Sequence, residues 1–196
     1  MTPDPISVLV RFVEIMHELG IEYAVGGSMA SSVFGEPRST ADIDVLVALQ
    51  PRHASHLARA LEREFYVSEE SLREAIARRS SFNAIHLDTM IKVDVFVASA
   101  DVLDTEQMRR RRTVNLSQTS ESEVDVTAPE NIVLRKLAWY RASGGVSDRQ
   151  WRDVQGVLKQ QGRSLDVDYL RDIAAQTELG VLLDRALREA GLAADG

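Results

Sequence analysis

Residues 23–47, YAVGGSMASSVFGEPRSTADIDVLV, decide how the chain is read. A short apolar run over 21–25 stops at Gly26-Gly27. Ser28, a good helix N-cap, then precedes a small-residue and apolar segment over 29–34. A turn-rich loop, Gly35-Glu36-Pro37-Arg38-Ser39-Thr40, leads to Asp42-Ile43-Asp44 and the apolar run 45–49. The expected order is strand, glycine turn, short helix, loop, and a strand that opens on two carboxylates.

Spacing decides what those carboxylates can do. Residues i and i+2 of a strand project from one face, so Asp42 and Asp44 point together while Ile43, Val45 and Val47 point the other way. Two carboxylates held that close repel unless a cation or a shared proton relieves them. Hard oxygen ligands suit Mg²⁺ or Mn²⁺. The Gly26-Gly27-Ser28 turn is the complementary half: glycine lets the backbone approach a ligand, and the N-terminus of the following helix directs N–H groups at an anion. A phosphate site beside a metal site meets the needs of triphosphate chemistry.

Further along, two alternating runs over 81–87 and 91–97, separated by Asp88-Thr89-Met90, read as a β-hairpin. In the second run Ile91, Val93, Val95 and Val97 share one face, and Lys92, Asp94 and Phe96 the other. An aspartate inside an otherwise apolar strand is expensive unless paired or metal-bound, which makes Asp94 the third carboxylate of interest. Around these elements the pattern predicts helices over 5–19, 51–64 and 101–112, a short strand at 65–67, a polar helical stretch over 68–79, and closing strands at 113–116 and 123–127. From Ala128 onward the chain is helical, over 129–141, 147–160, 166–176 and 178–190. Four arginines, Arg109 to Arg112, end the 101–112 helix; cations suit a helix C-terminus, and a dense basic run also suits RNA or triphosphate contact. His53 and His56 share a helix face but lack carboxylate or thiol company, so they read as solvated.

The 196 residues suffice for a catalytic core with a helical appendage. Hydrophobic residues make up 44% and charged residues 27%, an ordinary globular balance. There are no cysteines, which excludes a disulfide framework and fits a reducing, cytoplasmic setting. Charges at Asp4, Arg11, Glu14 and Glu18 interrupt any signal-peptide core, and no run approaches the roughly 18–20 apolar residues of a membrane span, so no membrane partner is expected. A net charge of −7 argues against a surface that coats nucleic acid broadly.

The order and separation of the glycine turn and the Asp-x-Asp strand resemble the nucleotidyltransferase superfamily. More narrowly, GGSMASSVFGEPRSTADID resembles the first motif of the AbiEii/AbiGii-type toxin nucleotidyltransferases, with Arg38, Thr40, Asp42 and Asp44 on the pattern Arg-x-Thr-x-Asp-x-Asp. Ile91-Lys92-Val93-Asp94 is similar to that group's second motif. Lys136, followed by Arg152-Asp153, is similar to its third. The resemblance implies an α/β fold: a small mixed β-sheet nucleotidyltransferase core with flanking helices over 1–127, and a C-terminal helical bundle packed on it over 128–196.

It also implies a two-metal reaction on an NTP, with Mg²⁺ or Mn²⁺ held by Asp42, Asp44 and Asp94. Gly26, Gly27, Ser28, Arg38, Thr40, Lys136 and Asp153 would then form the nucleotide site, with Lys136 also catalytic. The implied partners are the NTP, an acceptor that is RNA, protein or a small molecule, and an antitoxin if the chain is a toxin. A silent module that only binds nucleotide or a partner is the non-enzymatic alternative.

Overall fold

A computed structural model describes residues 4–37, 40, 42–116 and 123–192. The chain opens with helix α1 (Pro5–Glu18), whose N-cap Asp4 accepts hydrogen bonds from the Ile6 and Ser7 N–H groups and whose first residue is a proline. Leu9, Phe12, Val13 and Met16 recur at helical spacing and are buried. Gly20, at φ +62°, ends the helix and turns the chain into the sheet.

Among the described residues seven strands form one mixed sheet, in the order β3-β4-β5-β2-β1-β7-β6. They are β1 (Tyr23–Val25), β2 (Ile43–Val47), β3 (Phe65–Tyr66), β4 (Ser81–His86), β5 (Lys92–Val97), β6 (Arg112–Asn115) and β7 (Glu123–Val126). β2 runs antiparallel to β1 and parallel to β5, which makes these three strands the centre of the sheet. On one face of β2 and β5 stand Ile43, Val45, Val47, Val93, Val95 and Val97, all buried. Helices α3 (Ala54–Leu61) and α4 (Glu69–Arg78) join α1 in the same core through Leu57, Leu61, Leu72 and Ile76, with Phe12 edge-on to Phe65 at 5.7 Å. The opposite face carries Asp44 and Asp94.

Helix α2 (Gly27–Phe34) bridges β1 and β2, and α5 (Val102–Arg109) follows β5. After β7 come α6 (Pro129–Ala142), α7 (Asp148–Gln161), α8 (Val167–Gln176) and α9 (Gly180–Glu189). Gly144 and Gly145, both at positive φ, turn α6 back into α7. Trp151 is packed between α6 and α9: its ring lies 4.9 Å from that of Tyr140, its indole N–H donates to Glu189 Oε2 at 2.8 Å, and Arg185 covers its face. No helix among the described residues is long and apolar enough to cross a membrane.

Among the boundaries that differ from the sequence expectation, two bear on the site and its surroundings. The helix predicted over 101–112 stops at Arg109, because the edge strand begins at Arg112 and pairs with Val126. The arginine run that follows is spent on acidic partners: Arg109 on Glu106, Arg110 on Asp166 and over the Tyr169 ring, Arg111 on Glu22 and Asp125, Arg112 on Glu130. The second difference, at the start of α2, belongs to the site.

Helix α7 is pinned to the end of α2 by a close backbone crossing. A Cβ on Gly35 would meet Ser31 O at 2.7 Å, Val157 N at 3.0 Å and the Gly156 carbonyl carbon at 3.1 Å, all of them main chain. Gln161 Nε2 adds a hydrogen bond to Phe34 O at 2.8 Å. Because backbone yields less than a side-chain tip, Gly35→Ala should destabilise the protein by about 1–3 kcal/mol in denaturant unfolding. Gly180→Ala, where an added Cβ meets nothing, should leave the midpoint unchanged or raised.

Candidate functional site

The glycine turn is built around Asp44. Gly26 donates its N–H to the Asp44 carbonyl at 2.8 Å, and its own carbonyl accepts from Ala30 N at 3.1 Å, the first bond of α2. Gly26 is therefore the cap, and the expectation that Ser28 caps the helix is corrected: Ser28 lies inside the first turn, with its hydroxyl accepting from Arg149 instead. Gly27 has φ +57°, and a Cβ there would stand 1.8 Å from Asp44 Oδ2. That position needs glycine both for its backbone conformation and for the space the carboxylate fills. First-turn N–H groups have no intrahelical acceptor, which suits this end of α2 to an anion.

Parallel pairing sets the carboxylates. Ile43 pairs with Val93, Asp44 with Asp94 and Val45 with Val95, so Asp44 and Asp94 are side by side on one sheet face. Asp42 lies just before β2, with its N–H donating to Thr40 Oγ1 at 3.2 Å. Burial pushes the Asp44 carboxyl above the usual carboxylate range; the Asp94 and Asp42 charges push the same way, and Lys136 and Lys92 oppose them.

Cations answer this negative charge. Lys92 Nζ sits 2.7 Å from Asp94 Oδ2, and that bond raises the lysine pKa. Arg149, in the first turn of α7, donates through Nη2 to Ser28 Oγ at 2.9 Å and to Asp42 Oδ2 at 3.1 Å. Lys136, only 2% exposed, donates to the buried Asp153 at 2.7 Å. Among the described residues no group of three or more His, Cys, Asp or Glu side chains stands together to hold a metal: Asp42 is turned to Arg149 and Asp94 to Lys92.

A cavity of about 270 Å³ opens along this face, between the strands and the helices α5 and α6. Of the residues singled out in the sequence, Gly26, Gly27, Asp44 and Lys136 line it; Ser28, Thr40, Asp42, Asp94 and Asp153 do not. Arg38 lies outside the described residues. Phe96 and Trp139 give the cavity two aromatic walls, and none of Arg109 to Arg112 reaches it. Thr127 Oγ1, in the lining, is buried with no hydrogen-bond partner among the described residues.

Sequence reasoning missed Arg149 and Lys92. Lys92 was within reach, since it stands two residues before Asp94 on the same strand face. Arg149 gave only a misleading signal, because its spacing to Asp153 reads as an i,i+4 pair, whereas Asp153 belongs to Lys136.

No protein-family model matches the chain, and no curated protein matches it. Solved structures do resemble it. The solution structure of the antibiotic-resistance factor ANT(2'')-Ia aligns over 93% of this chain and 96% of its own, with a TM-score of 0.58 and 13% identity. An antigenic nucleotidyltransferase-like protein from Paracoccidioides brasiliensis aligns over 96% and 94%, at 0.52 and 16%. The lincomycin-bound lincosamide antibiotic adenylyltransferase LnuA aligns over 76% and 93%, at 0.50 and 10%. These likenesses show that the chain has the mixed α/β nucleotidyltransferase fold.

Two stability predictions follow from the electrostatics. Folding raises the Asp44 pKa, so its ionisation opposes folding at neutral pH, and the penalty fades as pH falls through the raised value towards the ordinary one. Asp44→Asn should therefore melt higher than the wild type at pH 7.5, with the gap closing on acidification. Lys136→Met removes the cation from a buried ion pair and should cost about 3–5 kcal/mol, most of it recovered in Lys136→Met/Asp153→Leu.

Proposed function

We propose that the protein is a nucleotidyltransferase that moves a nucleoside monophosphate from an NTP to an acceptor hydroxyl. The observation that carries this is the juxtaposition of the register-paired Asp44 and Asp94 with the glycine turn that wraps the Asp44 carboxylate. The oxygen donors of Asp42, Asp44 and Asp94 suit a hard divalent cation, Mg²⁺ or Mn²⁺, which would offset the Asp94 and Asp42 charges that add to burial in raising the Asp44 pKa. Bound there, such ions would neutralise charge on the attacking and leaving oxygens.

The chain's own groups do the rest. Backbone N–H groups at Gly27 and Ser28 receive phosphate oxygens, and the Lys136 ammonium, in the cavity wall, faces the triphosphate charge while Asp153 fixes its position. Arg38 and Thr40 complete the nucleotide site in this reading. Asp94 accepts the acceptor's proton as its oxygen bonds to the α-phosphorus and the bond to pyrophosphate breaks. Residues 1–127 act as the catalytic core, and residues 128–196 as the helical part that closes over it.

A small-molecule acceptor is favoured. The cavity, at about 270 Å³, is on the scale of a small molecule, and none of the arginines from Arg109 to Arg112 lines it. ANT(2'')-Ia has been solved with adenylyl-2''-tobramycin, and LnuA with lincomycin. A second reading, an AbiEii-type toxin acting on tRNA or protein and checked by an antitoxin, draws on the motif resemblance and on the buried Lys136–Asp153 pair that falls on its third motif.

The test is transfer of label from each of the four α-labelled NTPs, with Mg²⁺ or with EDTA, to aminoglycoside and lincosamide panels, to total tRNA and to protein. Mg²⁺-dependent labelling of a small molecule, reduced about 10²–10⁴-fold in Asp94→Asn, is expected. Labelling of tRNA or protein instead would establish the second reading. Failure of every triphosphate to bind would refute both.

A further inference from the structure

We infer that Arg149 is a two-position side chain: it holds Asp42 before nucleotide arrives and moves onto the triphosphate when nucleotide binds, releasing Asp42 to join Asp44 and Asp94. The inference rests on the function proposed above and concerns how that site is switched on.

The cations around the site fall into two kinds. Lys136 is buried with Asp153, and such a pair is not exchanged cheaply, because parting two buried charges is costly. Arg149 is the opposite case. Its side chain is 54% exposed and that of Asp42 56%, and exposed pairs of this kind hold only weakly. A multiply charged phosphate competes easily with one such carboxylate.

Position favours the exchange as well. Both described contacts of Arg149 use the same nitrogen, Nη2, and one of them is to Ser28 in the first turn of α2. The guanidinium thus already stands at the helix end where phosphate oxygens would dock, with further N–H groups suited to forked contacts with phosphate. The close crossing at Gly35 and Gly156 fixes α7 against α2, so the guanidinium need only change partners.

The consequence for Asp42 is electrostatic. With Arg149 on a phosphate, Asp42 loses its counter-ion while its charge still bears on Asp44. The group of three carboxylates that the side chains do not form with Arg149 on Asp42 then becomes accessible, and a dication is what it would take. Triphosphate and metal should each strengthen the other's binding, as linkage requires.

The test uses the full chain and two titrations that need no turnover: an α,β-methylene nucleoside triphosphate followed by calorimetry, and Mn²⁺ alone followed by electron paramagnetic resonance. Arg149→Ala should weaken the triphosphate analogue about 10–100-fold. The same variant should bind Mn²⁺ alone tighter, by about 2–5-fold, because Asp42 no longer has a competing cation. Arg149→Lys, which keeps the charge without the fork, should fall between, and circular dichroism should show both variants folded.

Opposite shifts of the two affinities support the inference. Parallel weakening would reduce Arg149 to a structural role, and no change in either would overturn the inference while leaving the proposed function intact. A wild-type protein that binds no triphosphate would instead refute the proposed function, and the inference with it.

Discussion

The parallel pairing of β2 with β5 makes Asp44 and Asp94 neighbours on one face of the sheet centre. A folded chain has no structural reason to bring two carboxylates together there, partly buried, when valines fill the opposite face. The repulsion has to be offset, and the surrounding residues do this at several levels. Gly27 gives up a side chain so that the Asp44 carboxylate fits against the turn. Lys92 neutralises Asp94 from its own strand, Arg149 neutralises Asp42 from α7, and Lys136 lowers the field at Asp44 from α6. Burial, with the Asp94 and Asp42 charges behind it, still holds the Asp44 pKa above the usual carboxylate range.

The helices after β7 matter to function because of how rigidly they are seated. The Gly35–Gly156 crossing brings the α2 and α7 backbones to a distance that side chains would not allow. That contact carries Arg149 and Asp153 to the carboxylate face, and the buried Lys136–Asp153 pair ties α6 to α7 beside the cavity. Every group that meets the carboxylates from the helical side thus depends on a few close approaches. Where Trp151 packs as core, Trp139 on α6 faces the cavity instead, so two tryptophans that look alike in sequence have different surroundings.

Much of this was legible because strand geometry has a short period. The Asp42–Asp44 spacing, the hairpin over β4 and β5, and the apolar face interrupted by Asp94 all follow from residues two apart. The α1 cap and the Gly20 stop are equally local. What escaped were relations that no local period encodes. Ser28 looks like a cap, but the Gly26 main chain, bonded to Asp44 across the sheet, starts the helix earlier. Arg149 meets Asp42 from 107 residues away. The arginine run reads first as a solvated helix end, with phosphate contact the lesser reading; Arg109 pairs locally with Glu106, but Glu22, Asp125, Glu130 and Asp166, the partners of the other three, come from elsewhere in the chain. Arg38, central to the motif resemblance, lies outside the described residues.

On the proposed function, the paired carboxylates hold a divalent cation beside a bound triphosphate. The most direct measurement is an anomalous difference map from a crystal of the protein grown with Mn²⁺ and a non-hydrolysable NTP. The expected result is manganese density shared by Asp44 and Asp94, with Asp42 turned towards it and the triphosphate lying over Gly27 and Ser28. A triphosphate bound elsewhere, or bound over that turn with no manganese between Asp44 and Asp94, would contradict it.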